Sequence, residues 1–118
     1  MSAEVLTITD AQFAVEVLEA PTPVVVDFWA AWCPPCRVMD PVIAELAAEW
    51  PAVRFAKLDV DGNSRTGAEY GVLAMPTLLV FRDGREVLRL VGARPKRRLV
   101  QELGAVLGIG AEDAAGVV

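Results

Sequence analysis

Histidine is absent from the 118 residues, and cysteine occurs only twice. A structural zinc site normally takes four ligands from Cys and His. A metal centre here would need carboxylates or a second subunit, and none is expected. Two cysteines also make no disulfide framework of the kind that staples small secreted domains. Basic residues are the minority, 11 against 16 acidic. The resulting net charge of −5 argues against general affinity for nucleic acid or an anionic membrane. No apolar run is long and unbroken. The richest, near residues 20–36, is interrupted by Asp27 and several prolines, so no transmembrane span is expected. The opening "MSAEVLTITD" lacks the basic segment and apolar stretch of a secretory signal, and a cytoplasmic location is the expectation. Disorder is excluded by composition, because 54% of the residues are hydrophobic, enough for one substantial core.

No internal repeat is present. "TDAQFAVEVL" reads as a first helix: Thr9 and Gln12 have capping-box spacing, and Phe13 and Val17 share a face. "TPVVVDFWA" is a continuous β-branched run that fits a central strand covered on both faces. A helix is expected from just after Cys33 to about Trp50, with Val38, Val42, Leu46 and Trp50 as its inner stripe and a kink at Pro41. "VRFAKLDV" is a second buried strand, and "GNSRTGAEYG" a short helix. "TLLVF" and "EVLRLV" are strands joined at Asp83-Gly84, a hairpin signal. A final helix runs from Pro95 to Leu107 with Leu99, Leu103 and Val106 inward. The "RPKRR" run reads as a solvated helix start, with an acidic partner as the alternative. Residues 109–118 read as a flexible tail after a domain of residues 1–108. The order of elements predicts an α/β fold with helices on both faces of the sheet. Its leading strands should be parallel and its last pair antiparallel.

The two cysteines stand in "WCPPC", residues 32–36. A stabilising clip is disfavoured, because a disulfide acts mainly by closing a long loop and this one is minimal. A reversible redox pair is the leading reading, and cytosolic disulfides are usually catalytic or redox-sensing. Residues three apart at a helix start are neighbours on one face, within disulfide reach. The first turn of a helix also carries unpaired N–H groups and partial positive charge, which favour a thiolate. Pro34 and Pro35 lack N–H groups, but the first turn has donors to spare. Arg37 can add its own charge. Cys33 is therefore expected to be the exposed nucleophile, and Cys36 the more buried resolving thiol. Lowering a thiol from pKa about 8.5 to about 7 raises its ionised fraction at pH 7 roughly sixteenfold. Lost nucleophilicity takes back about fivefold, so the larger gain comes from holding Cys36 beside the mixed disulfide.

The stretches "VVVDFWAAWCPPCRVMDPV", "KLDVDGN", "YGVLAMPTLLVFRDG" and "VGA" resemble the thioredoxin family in order and spacing, over roughly residues 5–107. The resemblance implies the thioredoxin fold, a central mixed sheet of about five strands flanked by four helices. It implies a protein-disulfide reductase working by dithiol–disulfide exchange through Cys33 and Cys36. No cofactor of its own is expected. The implied partners are an NADPH-linked thioredoxin reductase and disulfide-containing client proteins, with the chain acting as a monomer.

Asp27 matches the family's buried carboxylate. Its sequence setting is unusual, one charge within Val, Phe and Trp, and burial without a partner would raise its pKa and make it a base for Cys36. An exposed strand-end aspartate is the plain alternative. Lys57 matches a residue near that carboxylate, against the alternative of a solvated strand lysine. Pro76 matches the family's cis-proline, although a trans proline opening a strand is the default from sequence alone. Met75 would then present its backbone beside Cys33 to an extended client. Trp32, Val72, Ala74, Met75, Gly92 and Ala93 are expected to form an apolar docking patch around the thiol, with Trp29 as packing. Pro34 departs from the family's commonest pattern, which has glycine there, and a more oxidising pair is expected. A specialised oxidoreductase with a narrow client, and a binding module on the same fold, are the rival readings.

Overall fold

A computed structural model describes residues 5–109. Of the expected tail, residues 109–118, Ile109 is described and residues 110–118 lie outside the described residues. Ile109 packs against the core, and its N–H donates to the Gly104 carbonyl at 3.0 Å.

The chain forms β1 (Leu6–Thr7), β2 (Val24–Trp29), α1 (Pro34–Glu49), β3 (Arg54–Asp59), α2 (Ser64–Glu69), β4 (Thr77–Arg82), β5 (Arg85–Val91) and α3 (Lys96–Leu107). The sheet order is β1-β3-β2-β4-β5. The β2–β3 pair is parallel and the β4–β5 pair antiparallel, as expected. β1 was not anticipated, since two exposed residues carry no periodic signal.

Side chains alternate across a strand, and β2 uses both sides. Val24, Val26 and Phe28 join Ile8, Phe13, Val17, Leu79 and Phe81 on one face. Val25 joins Met39, Ile43, Leu46, Leu99 and Leu103 on the other, beneath α1 and α3. Burying each large side chain contributes about 1.5–3 kcal/mol. That is why a β-branched run holds the centre. Asp27 has the parity of Val25 and so belongs to the side under α1.

The first helical segment differs from expectation. Asp10–Gln12 is a 3-10 turn and Ala14–Leu18 a π-helical turn. Gln12 Oε1 does accept the Thr9 N–H, at 3.1 Å, as capping spacing foretold. The Glu19 N–H then reaches back five residues to the Ala14 carbonyl at 2.9 Å. This wider turn still sets Phe13 and Val17 into the core.

The inner stripe of α1 also differs. Its buried residues are Cys36, Met39, Ile43, Leu46 and Ala47, while Val38 is 66% exposed. A step of exactly four drifts around a helix of 3.6 residues per turn, so Leu46 and Trp50 are buried and Val42 packs at the core's edge, while Val38, at the start of the expected stripe, falls outside it. α1 continues through Pro41 as one helix, with Pro41 on its exposed side. Asp83 and Gly84 both take positive φ, 54° and 77°, the geometry of a two-residue hairpin turn. A Cβ on Gly84 would also stand 3.0 Å from the Leu18 carbonyl oxygen.

The "RPKRR" run is not simply solvated. Lys96 bridges Glu45 and Glu49 of α1 at 2.9 and 2.8 Å, and Arg94 meets Glu102 at 2.7 Å. These pairs tie α3 to its neighbours.

Candidate active site

β2 ends at Trp29, and after four residues the chain turns into α1 at Pro34. Cys33 is the residue before the helix, in extended conformation, with Pro34 and Pro35 in the first turn. Cys33 and Cys36 form a disulfide with Cα atoms 5.4 Å apart. The Cys36 N–H is shared between the Cys33 carbonyl at 3.1 Å and the Cys33 Sγ at 3.3 Å, so a donor of the helix start does reach that sulfur. The Arg37 guanidinium does not. Its Nη2 donates to the Ala31 carbonyl at 2.9 Å and braces the loop that carries Trp32.

Cys33 is not exposed, contrary to expectation. In the disulfide it is 3% accessible, against 1% for Cys36. Trp29, Val60 and Met75 pack around the pair and Ala30, and cover the sulfurs. Trp29 is thus packing, as read from the sequence. Val60 was missed, because an isolated valine after a strand has no local signal of what it will touch.

Two further loops complete the surface. The Met75–Pro76 peptide is cis, and the Met75 carbonyl oxygen lies 3.5 Å from the Cys33 Sγ. Pro76 is buried, and its carbonyl accepts the Gly92 N–H at 2.8 Å, which brings the third loop alongside. Trp32 is 63% exposed, and Ala74 and Ala93 are exposed too. Met75 and Gly92 are half-buried. Val72 is partly core, packed against the cluster of Phe13 and Phe81. Beside them Leu73 is 93% exposed. A cleft of about 420 Å³ lies elsewhere, between Thr22, Pro51 and Arg54 at the entry ends of β2 and β3.

Asp27 is 2% exposed, and neither carboxylate oxygen has a hydrogen-bond partner among the described residues. The alternative of an exposed strand-end aspartate is thereby removed. Burial, then the nearby charge of Asp40, pushes the Asp27 carboxyl up to about 7, with Lys57 opposing. Lys57 is the β3 residue in register with Asp27. Its ammonium lies 5.2 Å from the centre of the Trp29 ring, so it acts on the carboxylate as a nearby charge without a direct bond. Asp40 was not singled out in the sequence.

A disulfide at the start of a helix, one sulfur receiving a backbone N–H and a lone buried carboxyl under the same helix, defines a dithiol–disulfide oxidoreductase. The thioredoxin family model matches residues 4–105. The thioredoxin of Mycobacterium bovis is 47% identical over 103 residues, covering 86% of this chain and 89% of that protein. The thioredoxin of Alicyclobacillus acidocaldarius is also 47% identical over 103 residues, covering 86% of this chain and 97% of that protein. A Mycobacterium leprae protein named bifunctional thioredoxin reductase/thioredoxin is 43% identical over 103 residues, covering 86% of this chain and 22% of that protein. The chain belongs to the thioredoxin family. It is a protein-disulfide reductase acting by dithiol–disulfide exchange, and its partners are disulfide-containing client proteins.

Proposed function

We propose that Cys33 is the nucleophile, Cys36 the resolving thiol and Asp27 the base. The Cys33 thiolate attacks a client disulfide. A bond forms to one client sulfur and the other leaves as a thiolate. Cys36 then gives its proton to the Asp27 carboxylate and attacks the Cys33 Sγ. The Cys33–client bond breaks, and the released client sulfur takes up a proton. Two electrons pass from the dithiol to the client, and the Cys33–Cys36 disulfide remains. The observation that carries this order is the Cys36 N–H aimed at the Cys33 Sγ at 3.3 Å, which favours negative charge on Cys33.

Pro34 and Pro35 shape the first turn around that sulfur. The apolar surface of Trp32, Val72, Ala74, Met75, Gly92 and Ala93 receives the client, and the Met75 backbone beyond cis-Pro76 pairs with its extended chain. Lys57 moderates Asp27. The disulfide is returned to the dithiol by an NADPH-linked thioredoxin reductase. The pairing of reductase and thioredoxin in the name of the Mycobacterium leprae relative supports that partner. The domain of residues 1–108 works as a monomer in the cytoplasm. No helix among the described residues is long and apolar enough to cross a membrane.

The test is trapping. Cys36→Ser should accumulate a mixed disulfide with an insulin client through Cys33, and Cys33→Ser should accumulate almost none. Equal trapping by the two variants, read on non-reducing gels, would overturn the assignment.

A further inference from the structure

The edge strand β5 carries an arginine, Arg89, in register with Leu79 of β4. Leu79 belongs to the cluster built on Phe13 and Phe81. Residues directly opposite on paired strands share a face, so Arg89 stands on that side of the sheet. The segment after α2 packs on the same side. The Tyr70 ring lies 5.3 Å from the Phe81 ring and 5.5 Å from that of Phe13, and Val72 joins their cluster.

The Arg89 guanidinium ties this segment to the strand. Its Nη2 donates to the Tyr70 carbonyl at 2.6 Å and its Nη1 to the Gly71 carbonyl at 3.4 Å. Nε and Nη2 also donate to the two Glu86 carboxylate oxygens, at 2.8 and 2.9 Å. Glu86 thereby orients the fork. No backbone N–H among the described residues donates to either carbonyl. An exposed ion pair alone contributes little. Here it aims a planar donor at two carbonyls at once, which the point charge of a lysine does not do.

The tied segment leads straight into the docking loop. Gly71 turns the chain out of α2 with φ 66°, and Val72, Leu73, Ala74 and Met75 follow. The Val72 N–H returns to the Gly67 carbonyl at 2.8 Å. At the far end the Ala74 carbonyl accepts the Thr77 hydroxyl at 2.6 Å. Arg89 also lies three residues before Gly92, so one strand carries the third loop and the tie to the second.

We propose that Arg89 is a positioning residue for client binding: oriented by Glu86, it fixes the Tyr70 and Gly71 carbonyls and so holds the loop Val72–Met75 in the conformation that receives an extended client chain. The proposal rests on the docking role given to that loop above. Loss of the tie lowers the fraction of molecules with a competent loop, and apparent affinity falls in proportion.

The test mixes reduced protein with excess insulin, or with the small neutral disulfide hydroxyethyl disulfide, and follows a single turnover. Arg89→Met should raise the half-saturating insulin concentration roughly fivefold, the equivalent of one net hydrogen bond, with the limiting rate unchanged. The rate with hydroxyethyl disulfide, which has no chain to lay along the loop, should keep its wild-type value. Arg89→Lys should resemble Arg89→Met, and Glu86→Gln should fall between it and wild type. An insulin half-saturation unchanged in Arg89→Met overturns the proposal. So does an equal loss toward both disulfides, which is what a general loosening of the fold gives. Should Arg89→Met not fold, Arg89→Lys and Glu86→Gln decide by the same criteria. Ala74→Glu tests the loop itself. If it raises the insulin half-saturation while Arg89→Met does not, the role of Arg89 alone is overturned. If it leaves that value unchanged, the docking role of the loop is overturned, and this proposal with it.

Discussion

Asp10 and Asp27 receive opposite treatment. Between the N-terminal turn and α2, the Asp10 Oδ1 accepts the Thr66 N–H at 2.9 Å and the Thr66 hydroxyl at 2.6 Å. Its Oδ2 accepts the Arg65 N–H at 3.0 Å, and its own N–H donates to Asn63 Oδ1 at 2.9 Å. Burial works against ionisation there, but the bonds from Thr66 and Arg65 outweigh it, and the Asp10 carboxyl sits below its ordinary range. Beneath α1, Asp27 has burial without bonds, and the same acid rises to about 7. One aspartate satisfies the free N–H groups at the start of α2 and joins segments 56 residues apart. The other is buried on the α1 side of β2 with no hydrogen bond, at a cost in stability. The difference separates a carboxylate held by hydrogen bonds from one buried without any, and the second is the one proposed above as a base.

The largest expected effect comes from removing the poised group. Asp27 binds its proton more tightly folded, near 7, than unfolded, near 3.8. Below 3.8 both states hold the proton and nothing is lost. As pH rises from 3.8 to 7 the unfolded state ionises first, and stability falls by about 4 kcal/mol. Asp27→Asn should therefore raise stability by about 4 kcal/mol at pH 8, and by under about 1 kcal/mol at pH 4. Urea titrations of the oxidised proteins at the two pH values measure this. An equal gain at both would show that ionisation of Asp27 is not the source. With Asp27 in the base role proposed above, turnover of the variant near neutral pH should also fall.

The opposite sign is expected at Asp10. Asp10→Ala should cost about 1–2 kcal/mol, the loss of a helix-start acceptor with three bonds. Because its pKa is lowered on folding, that contribution is present above 3.8 and fades as pH falls through the acid range. The cost should hold level from pH 5 to 8 in denaturant melts, and shrink toward pH 3. A cost that grows in acid would break the contrast between the two aspartates.

The smallest effect should come from Lys57→Met. Loss of the opposing charge should raise the Asp27 midpoint by roughly half a pH unit. It should also remove the contact with Trp29, worth about 0.5–1 kcal/mol. Carboxyl NMR reads the first and a urea melt the second. A midpoint that falls in this variant would reverse the sign assigned to Lys57.

Much of this molecule is local enough to be legible from residues alone. The run Val24–Trp29 is apolar because both faces of β2 are covered, and its pattern carries that meaning without the fold. Asp83-Gly84 demands a turn with positive φ, and the chain makes it there. "WCPPC" places two sulfurs one helical turn apart, and spacing alone brings them within reach of each other. The lone charge in "VVVDFW" announces Asp27.

What tertiary structure alone decided depends on chain segments far apart in sequence. The Met75 carbonyl reaches the Cys33 Sγ across 42 residues, and Thr66 reaches Asp10 across 56. The stripe of α1 was settled by how the helix rolls on the sheet, which favoured Met39 and Ile43 over Val38. Periodicity reports which side of an element is apolar. Which groups of two elements meet, and how strongly they shift each other's protons, depends on distance and on the water that packing removes.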